Sequence, residues 1–116
     1  MQDFKRLEVW KRAHNFVLDI YKATEFFPKS EKFGMISQIR RASASIVANI
    51  CEGCGRESKR EFQRFLFISL GSAKETEGFL LLAEDLGYCK EKRLIEELQI
   101  ISRMLSGLIK SLNQNS

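Results

Sequence analysis

A chain of 116 residues is long enough for one domain with a real core, and 44% hydrophobic residues with a single proline favour helices. The net charge of +4 allows acidic partners without requiring them. No apolar run reaches the ~18 residues of a membrane span, no leader pattern is visible, and three cysteines outside any secreted framework suit a reducing cytoplasm.

Asp3 is placed to cap a first helix that ends near Thr24, before Phe26-Phe27-Pro28 forces an extended exit. Its apolar stripe is Leu7, Trp10, Ala13, Val17, Ile20 and Tyr21, widened by Val9 and Phe16. Ser30 is the N-cap candidate for a second helix that begins at Glu31 or Lys32. There Ile36, Ile39, Ser43, Ile46, Val47 and Ile50 share one face, while Arg41, Ala44, Ser45, Ala48 and Glu52 share the opposite one. Side chains that small allow a second packed face, although Ala and Ser are also simply tolerated in helices. Arg41 and Glu52 lie about three turns apart, so each needs a partner elsewhere.

Gly53 and Gly55 permit positive φ and end the second helix; Ser58-Lys59-Arg60-Glu61 is a capping box that opens the third. The third helix runs from Lys59 to about Leu86 on a stripe of Phe62, Phe65, Leu66, Ser69, Ala73, Thr76, Leu80 and Ala83. Phe67, Leu70, Phe79, Leu81 and Leu82 lie elsewhere around it, and Gly71 and Gly78 share a further face. A helix apolar nearly all round is buried on more than one side, which a four-helix monomer cannot arrange, so an oligomer is expected. Gly87-Tyr88 reads as a Schellman stop. A last helix from Lys90–Lys92 carries Leu94, Leu98, Ile101, Leu105, Leu108 and Leu112 at bundle spacing, and residues 113–116 form a polar tail that frays. The expected fold is a single all-α domain over residues 1–116, an antiparallel up-and-down four-helix bundle.

Catalytic constellations are absent from the pattern. His14 is the only histidine, so no His-based triad or two-His site can form within one chain. Arg6 and Arg12 miss the four-to-six-residue spacing before a histidine that helical RNA-cleaving bundles use. Cys51-Glu52-Gly53-Cys54, with Cys89 and His14, is a weak metal signal, and cysteine is an ordinary small buried residue. Glu75, Glu77, Glu84 and Asp85 lack the Glu-x-x-His of a di-iron bundle; Glu75 is expected to pair with an arginine of the second helix, such as Arg40. No metal or cofactor is expected.

The chain opens with Phe4-x-x-Leu7-x-Val9-Trp10, Tyr21 and Phe27-Pro28-x-x-Glu31-x-Phe33-Gly34. It continues through Gln38-Ile39-Arg40-Arg41-Ala42, Ser45-Ile46, Asn49-Ile50, Glu52-Gly53, Gly55-Arg56, Ser58, Glu61-Phe62, Phe65-Leu66, Ser72 and Glu75. These residues resemble, over nearly the whole chain, a bacterial family called four-helix bundle proteins, which includes proteins encoded in intervening sequences of 23S ribosomal RNA genes. The resemblance implies a ring-shaped homo-oligomer, a pentamer, with no established enzymatic activity. A similar fold serves as the accessory protein of diversity-generating retroelements, a basic pentamer that engages nucleic acid and a reverse transcriptase.

Positive charge clusters in three places. Arg56, Lys59, Arg60 and Arg64 against Glu57 and Glu61 leave +2; Lys5, Arg6, Lys11 and Arg12 against Asp3 and Glu8 leave another +2; Lys90, Lys92 and Arg93 stand against Glu91. The first two clusters are the candidate contacts to RNA or DNA, by backbone and shape more than by stacked bases. Arg40, Arg41, Ala44, Ser45, Ala48, Asn49, Glu52, Gly71, Glu75 and Gly78 are the candidates for an oligomer interface or structural polar roles. The expected function is a non-enzymatic cytoplasmic oligomer that binds structured RNA or other nucleic acid. The alternative is a scaffolding oligomer whose partner is another protein, for example a reverse transcriptase.

Overall fold

The computed structural model describes residues 2–114, and among them there are four long helices and no strands. They are α1 (Glu8–Thr24), α2 (Met35–Cys54), α3 (Lys59–Asp85) and α4 (Lys92–Gln114), with short 3-10 turns at Phe4–Arg6 and Lys29–Glu31. Each helix packs on the next and α4 closes on α1, giving an antiparallel bundle 47 Å long and about 20 Å across. Cross-links along the seams run in opposite directions, as antiparallel neighbours require: Arg12 meets Glu97 while Asp19 meets Arg93. No described helix is long and apolar enough to cross a membrane.

The core is built from the expected stripes, with informative shifts. On α3 every residue of the main stripe is buried. On α1 the buried set is Val9, Ala13, Phe16, Ile20 and Thr24; Trp10 and Val17 are only half-buried and Tyr21 is exposed. The start of the helix differs as well. Asp3 does not cap α1 but accepts the Lys5 N–H in the preceding 3-10 turn, and α1 begins after an extended Leu7. On α4 the seam holds through Leu105 and then moves to Ile109, leaving Leu108 and Leu112 half-buried. A straight helix drifts by ~20° per heptad from a strict 3.5 repeat, so the late leucines rotate off the core. Asn113 and Gln114 remain helical and Asn113 Oδ1 accepts from Gln63, contrary to the frayed tail expected there; residues 115 and 116 lie outside the described residues.

Two helix boundaries also differ. Ser30 is not the cap of α2, which starts four residues later than Glu31. The Glu31 carboxylate does that work, accepting the Met35 N–H at 3.1 Å and the Tyr88 hydroxyl at 3.0 Å. Gly34 leaves room for it, since an added Cβ would stand 2.6 Å from Glu31 Oε1. Neither Gly53 nor Gly55 adopts positive φ. Gly53 is helical and buried because α3 comes close: a Cβ would lie 3.0 Å from Phe65 Cβ and 3.2 Å from the Phe62 carbonyl.

The remaining stops follow the pattern. Ser58 Oγ accepts the Glu61 N–H at 3.1 Å, although the Glu61 carboxylate turns to Arg64. Gly87, at φ +80°, ends α3 in a Schellman motif, with Tyr88 N–H to Ala83 at 2.9 Å and Gly87 N–H to Glu84 at 3.0 Å. Tyr88 then packs on Phe27, 5.7 Å between ring centres, and closes that end of the bundle.

Candidate nucleic-acid interface

The chain's start is pinned beside the α2–α3 turn: the Gln2 N–H donates to the Cys54 carbonyl at 2.9 Å. The 3-10 turn carrying Lys5 and Arg6 packs against α1 and α2. Residues 2–6 and 56–60, fifty positions apart in sequence, therefore occupy one end of the bundle. A cleft there of about 90 Å³ is lined by Gln2, Arg56, Glu57, Ser58 and Lys59 over Phe62 and Leu112. The third basic cluster, residues 90–93, sits at the opposite end with the α3–α4 turn.

The eight basic candidates divide sharply. Arg12 is committed to the α1–α4 seam, its Nε and Nη2 donating to Glu97 at 2.9 and 2.7 Å, and this bidentate pairing raises its pKa. Lys11 pairs with Glu8, Arg56 with Glu52, and Arg64 with Glu61, whose carboxyl pKa is lowered by that contact. Arg56 and Arg64 also lie over the Phe65 ring, 4.9 and 4.5 Å from its centre. Lys5, Arg6 and Arg60 are exposed, and none has an ion pair among the described residues. Lys59 is exposed at the same end. Phe62 and Phe65, the aromatics beside the cluster, are buried, so they offer no stacking platform for bases.

The interface candidates separate into seam and surface. Ser45 and Ser72 share a hydrogen bond at 2.9 Å across α2 and α3, and Asn49 Nδ2 donates to the Ser45 carbonyl at 2.8 Å. Arg41, not Arg40, pairs with Glu75. The wheel explains the exchange, because Arg40 faces α1: its Nε donates to Thr24 Oγ1 at 2.8 Å, and its guanidinium lies 4.5 Å from the Tyr21 ring centre. Glu52 finds its partner one turn on, in Arg56. Ala44, Ala48, Gly71 and Gly78 are exposed, and a Cβ at either glycine would meet nothing within 4 Å. Ala44 and Ala48 floor a shallow groove between α1 and α2 with Val17, Leu18 and Val47, almost wholly apolar, with His14 at its edge. Leu18, Phe67, Leu81 and Leu82 are each about half exposed.

Cys51, Cys54 and Cys89 are free thiols. Cys54 is in the core, where burial pushes its thiol up to about 11, and His14 stacks on Trp10 at 4.8 Å. Among the described residues no three of His, Cys, Asp and Glu form a cluster that could hold a metal.

A further cationic face was missed by sequence reasoning. Gln99, Arg103, Ser106 and Lys110 recur at four, three and four residues on α4, and line a groove against Lys74 of α3. The spacing was legible, but it stands beside the leucine seam and its cations belong to none of the three dense clusters.

A family model described as 23S rRNA-intervening sequence protein matches residues 5–107. A crystal structure of a protein of unknown function from the S23 ribosomal protein family of Bacteroides thetaiotaomicron is similar, at 30% identity and a TM-score of 0.80 over 88% of this chain and 95% of that one. No curated protein matches the sequence.

Proposed function

Because this chain belongs to the 23S rRNA-intervening sequence protein family, we propose that it is a non-enzymatic cytoplasmic protein that assembles as a homo-oligomeric ring, a pentamer, and binds structured RNA or other nucleic acid through basic surface. The observation that carries the reading is the convergence of two basic clusters on one end of the bundle, held by the Gln2–Cys54 bond. Lys5, Arg6 and Arg60 present their charge there without an ion pair among the described residues. Ring symmetry would repeat that modest excess around one rim, where a polyphosphate could touch several subunits. Assembly is supported by the exposed apolar groove over Ala44 and Ala48 and by the half-exposed side chains of α3.

The test is a salt titration of binding to a structured RNA and to duplex DNA. Replacing Lys5, Arg6 and Arg60 together with alanine should flatten the log–log salt slope by about 0.7–0.9 for each phosphate no longer neutralised. Ala48→Glu should leave helix content unchanged, since Ala48 borders the open groove in the folded chain, yet dissociate the oligomer in light scattering. If neither nucleic acid binds below about 100 μM at low salt, the apolar groove becomes the stronger signal. The reading is then a scaffolding oligomer whose partner is another protein, such as a reverse transcriptase.

A further inference from the structure

The groove between α3 and α4 is a second basic surface, separate in its residues from the bundle end. It encloses about 440 Å³ and is lined by Lys74, Gln99, Ser102, Arg103, Ser106 and Lys110. Three cations, a carboxamide and two hydroxyls line it, and no carboxylate does. Glu77 stands nearby, accepting from Gln99 at 3.4 Å and lying 4.0 Å from Lys74. Arg103 and Lys110 are exposed and have no ion pair among the described residues.

The floor holds the more telling feature. Ser102 is 5% exposed, and its Oγ has no hydrogen-bond partner among the described residues. A serine inside a helix ordinarily returns its hydroxyl to a carbonyl one turn back, as the threonines Thr24 and Thr76 do here at 2.8 Å. A buried hydroxyl left alone costs stability, and alanine at this position would avoid that cost. Rotation about χ1 moves the Oγ between the helix and the groove it lines. Arg103 and Lys110 are seven residues apart, about 10.5 Å along α4, so they present charge along a line and not at a point.

We propose that the α3–α4 groove is a binding site for a phosphodiester backbone. Arg103, Lys110 and Lys74 neutralise successive phosphates, and the Ser102 hydroxyl donates to a phosphate oxygen. The proposal rests on the RNA-binding reading above and extends it to a surface separate from the rim of Lys5, Arg6 and Arg60.

The experiment compares two variants with the wild-type chain for binding to a structured RNA across a salt series. Arg103→Ala with Lys110→Ala should flatten the log–log slope by about 1.4–1.8, at 0.7–0.9 per neutralised phosphate. Ser102→Ala should weaken binding about ten- to a hundredfold, the worth of one hydrogen bond to a charged acceptor, while the denaturation midpoint stays level or rises. A purely structural serine would instead lower the midpoint and leave binding alone, which overturns the proposal. If wild-type protein binds RNA and both groove variants bind within twofold of it, the groove is overturned and the bundle-end reading stands. If wild-type protein binds no RNA up to about 100 μM at low salt, both fall together.

Discussion

Gly53→Ala tests the close approach of α2 and α3. Alanine is the better helix residue by about 0.8–1 kcal/mol, so in an open helix the change would stabilise. Here the new methyl would sit 3.0 Å from Phe62 Cδ1, 3.0 Å from Phe65 Cβ and 3.2 Å from the Phe62 carbonyl. Carbon atoms in optimal contact are about 3.5–4.0 Å apart, so the two carbon distances are short by roughly half an ångström. A flexible side-chain tip could yield, but a Cβ and a backbone carbonyl move only if α3 shifts against α2. Overpacking of this kind costs about 1–3 kcal/mol; two contacts to atoms that cannot swing aside put this site in the upper half of that range, which after the propensity gain leaves a net loss of about 1–2 kcal/mol. Urea denaturation at fixed protomer concentration would read it, because assembly makes the midpoint concentration-dependent. Gly107→Ala is the control: its Cβ meets nothing within 4 Å, and it should gain about 0.5–1 kcal/mol. A Gly53→Ala protein as stable as the wild type would refute the close α2–α3 contact.

Three further outcomes are expected. Thr24→Val keeps the shape of a residue 1% exposed but removes the acceptor of Arg40 Nε, and should cost about 1–3 kcal/mol by denaturation, whereas Thr24→Ser should recover most of it. Cys54 has its thiol pushed up to about 11 in the folded chain from an ordinary 9.0, so the native state holds a proton that the unfolded chain releases. Its contribution is present in full below pH 9 and is lost between pH 9 and 11; the fall in denaturation midpoint over that window should be altered in Cys54→Ala, which lacks the titrating thiol. The sign follows from linkage: above pH 9 the unfolded chain gains by ionising first, so the wild type loses stability more steeply than the variant. A double-mutant cycle on Arg41 and Glu75, both about half exposed, should give a coupling of about 0.2–1 kcal/mol that shrinks with added salt.

The helices and their ends were mostly legible because local chemistry decides them. Ser58 needs only the N–H three residues on, and Gly87 needs only its own φ and the hydrophobic residue behind it. What failed to read was set by neighbours. Gly53 has the sequence of a turn residue, but its reason is Phe65 on another helix. The true cap of α2 is Glu31, a residue whose carboxylate also reaches Tyr88, fifty-seven positions away. Leu108 gave way to Ile109 because a straight helix does not keep a 3.5-residue period. At the candidate site, composition located the charges, but only the fold could show that Arg12 is held by Glu97 and that Lys5 stands beside the α2–α3 turn. Ser102 could not be singled out at all, since an unmet hydroxyl is defined by what surrounds it.

The α2–α3 pairing also bears on the order in which the chain folds. Only residues 55–58 separate the two helices, so bringing them together sacrifices little chain entropy compared with joining α4 to α1. Their seam then locks with directional contacts: Ser69 Oγ to the Ile46 carbonyl at 2.7 Å, Ser45 to Ser72, and Arg41 to Glu75. This hairpin is suited to be the nucleus on which α1 and α4 settle. Ser69→Ala should then slow refolding, while truncations at Leu98 or Ile101 should chiefly speed unfolding. Once α2 and α3 have joined, the rim of Lys59 and Arg60 is formed, while the α3–α4 groove exists only after α4 has docked.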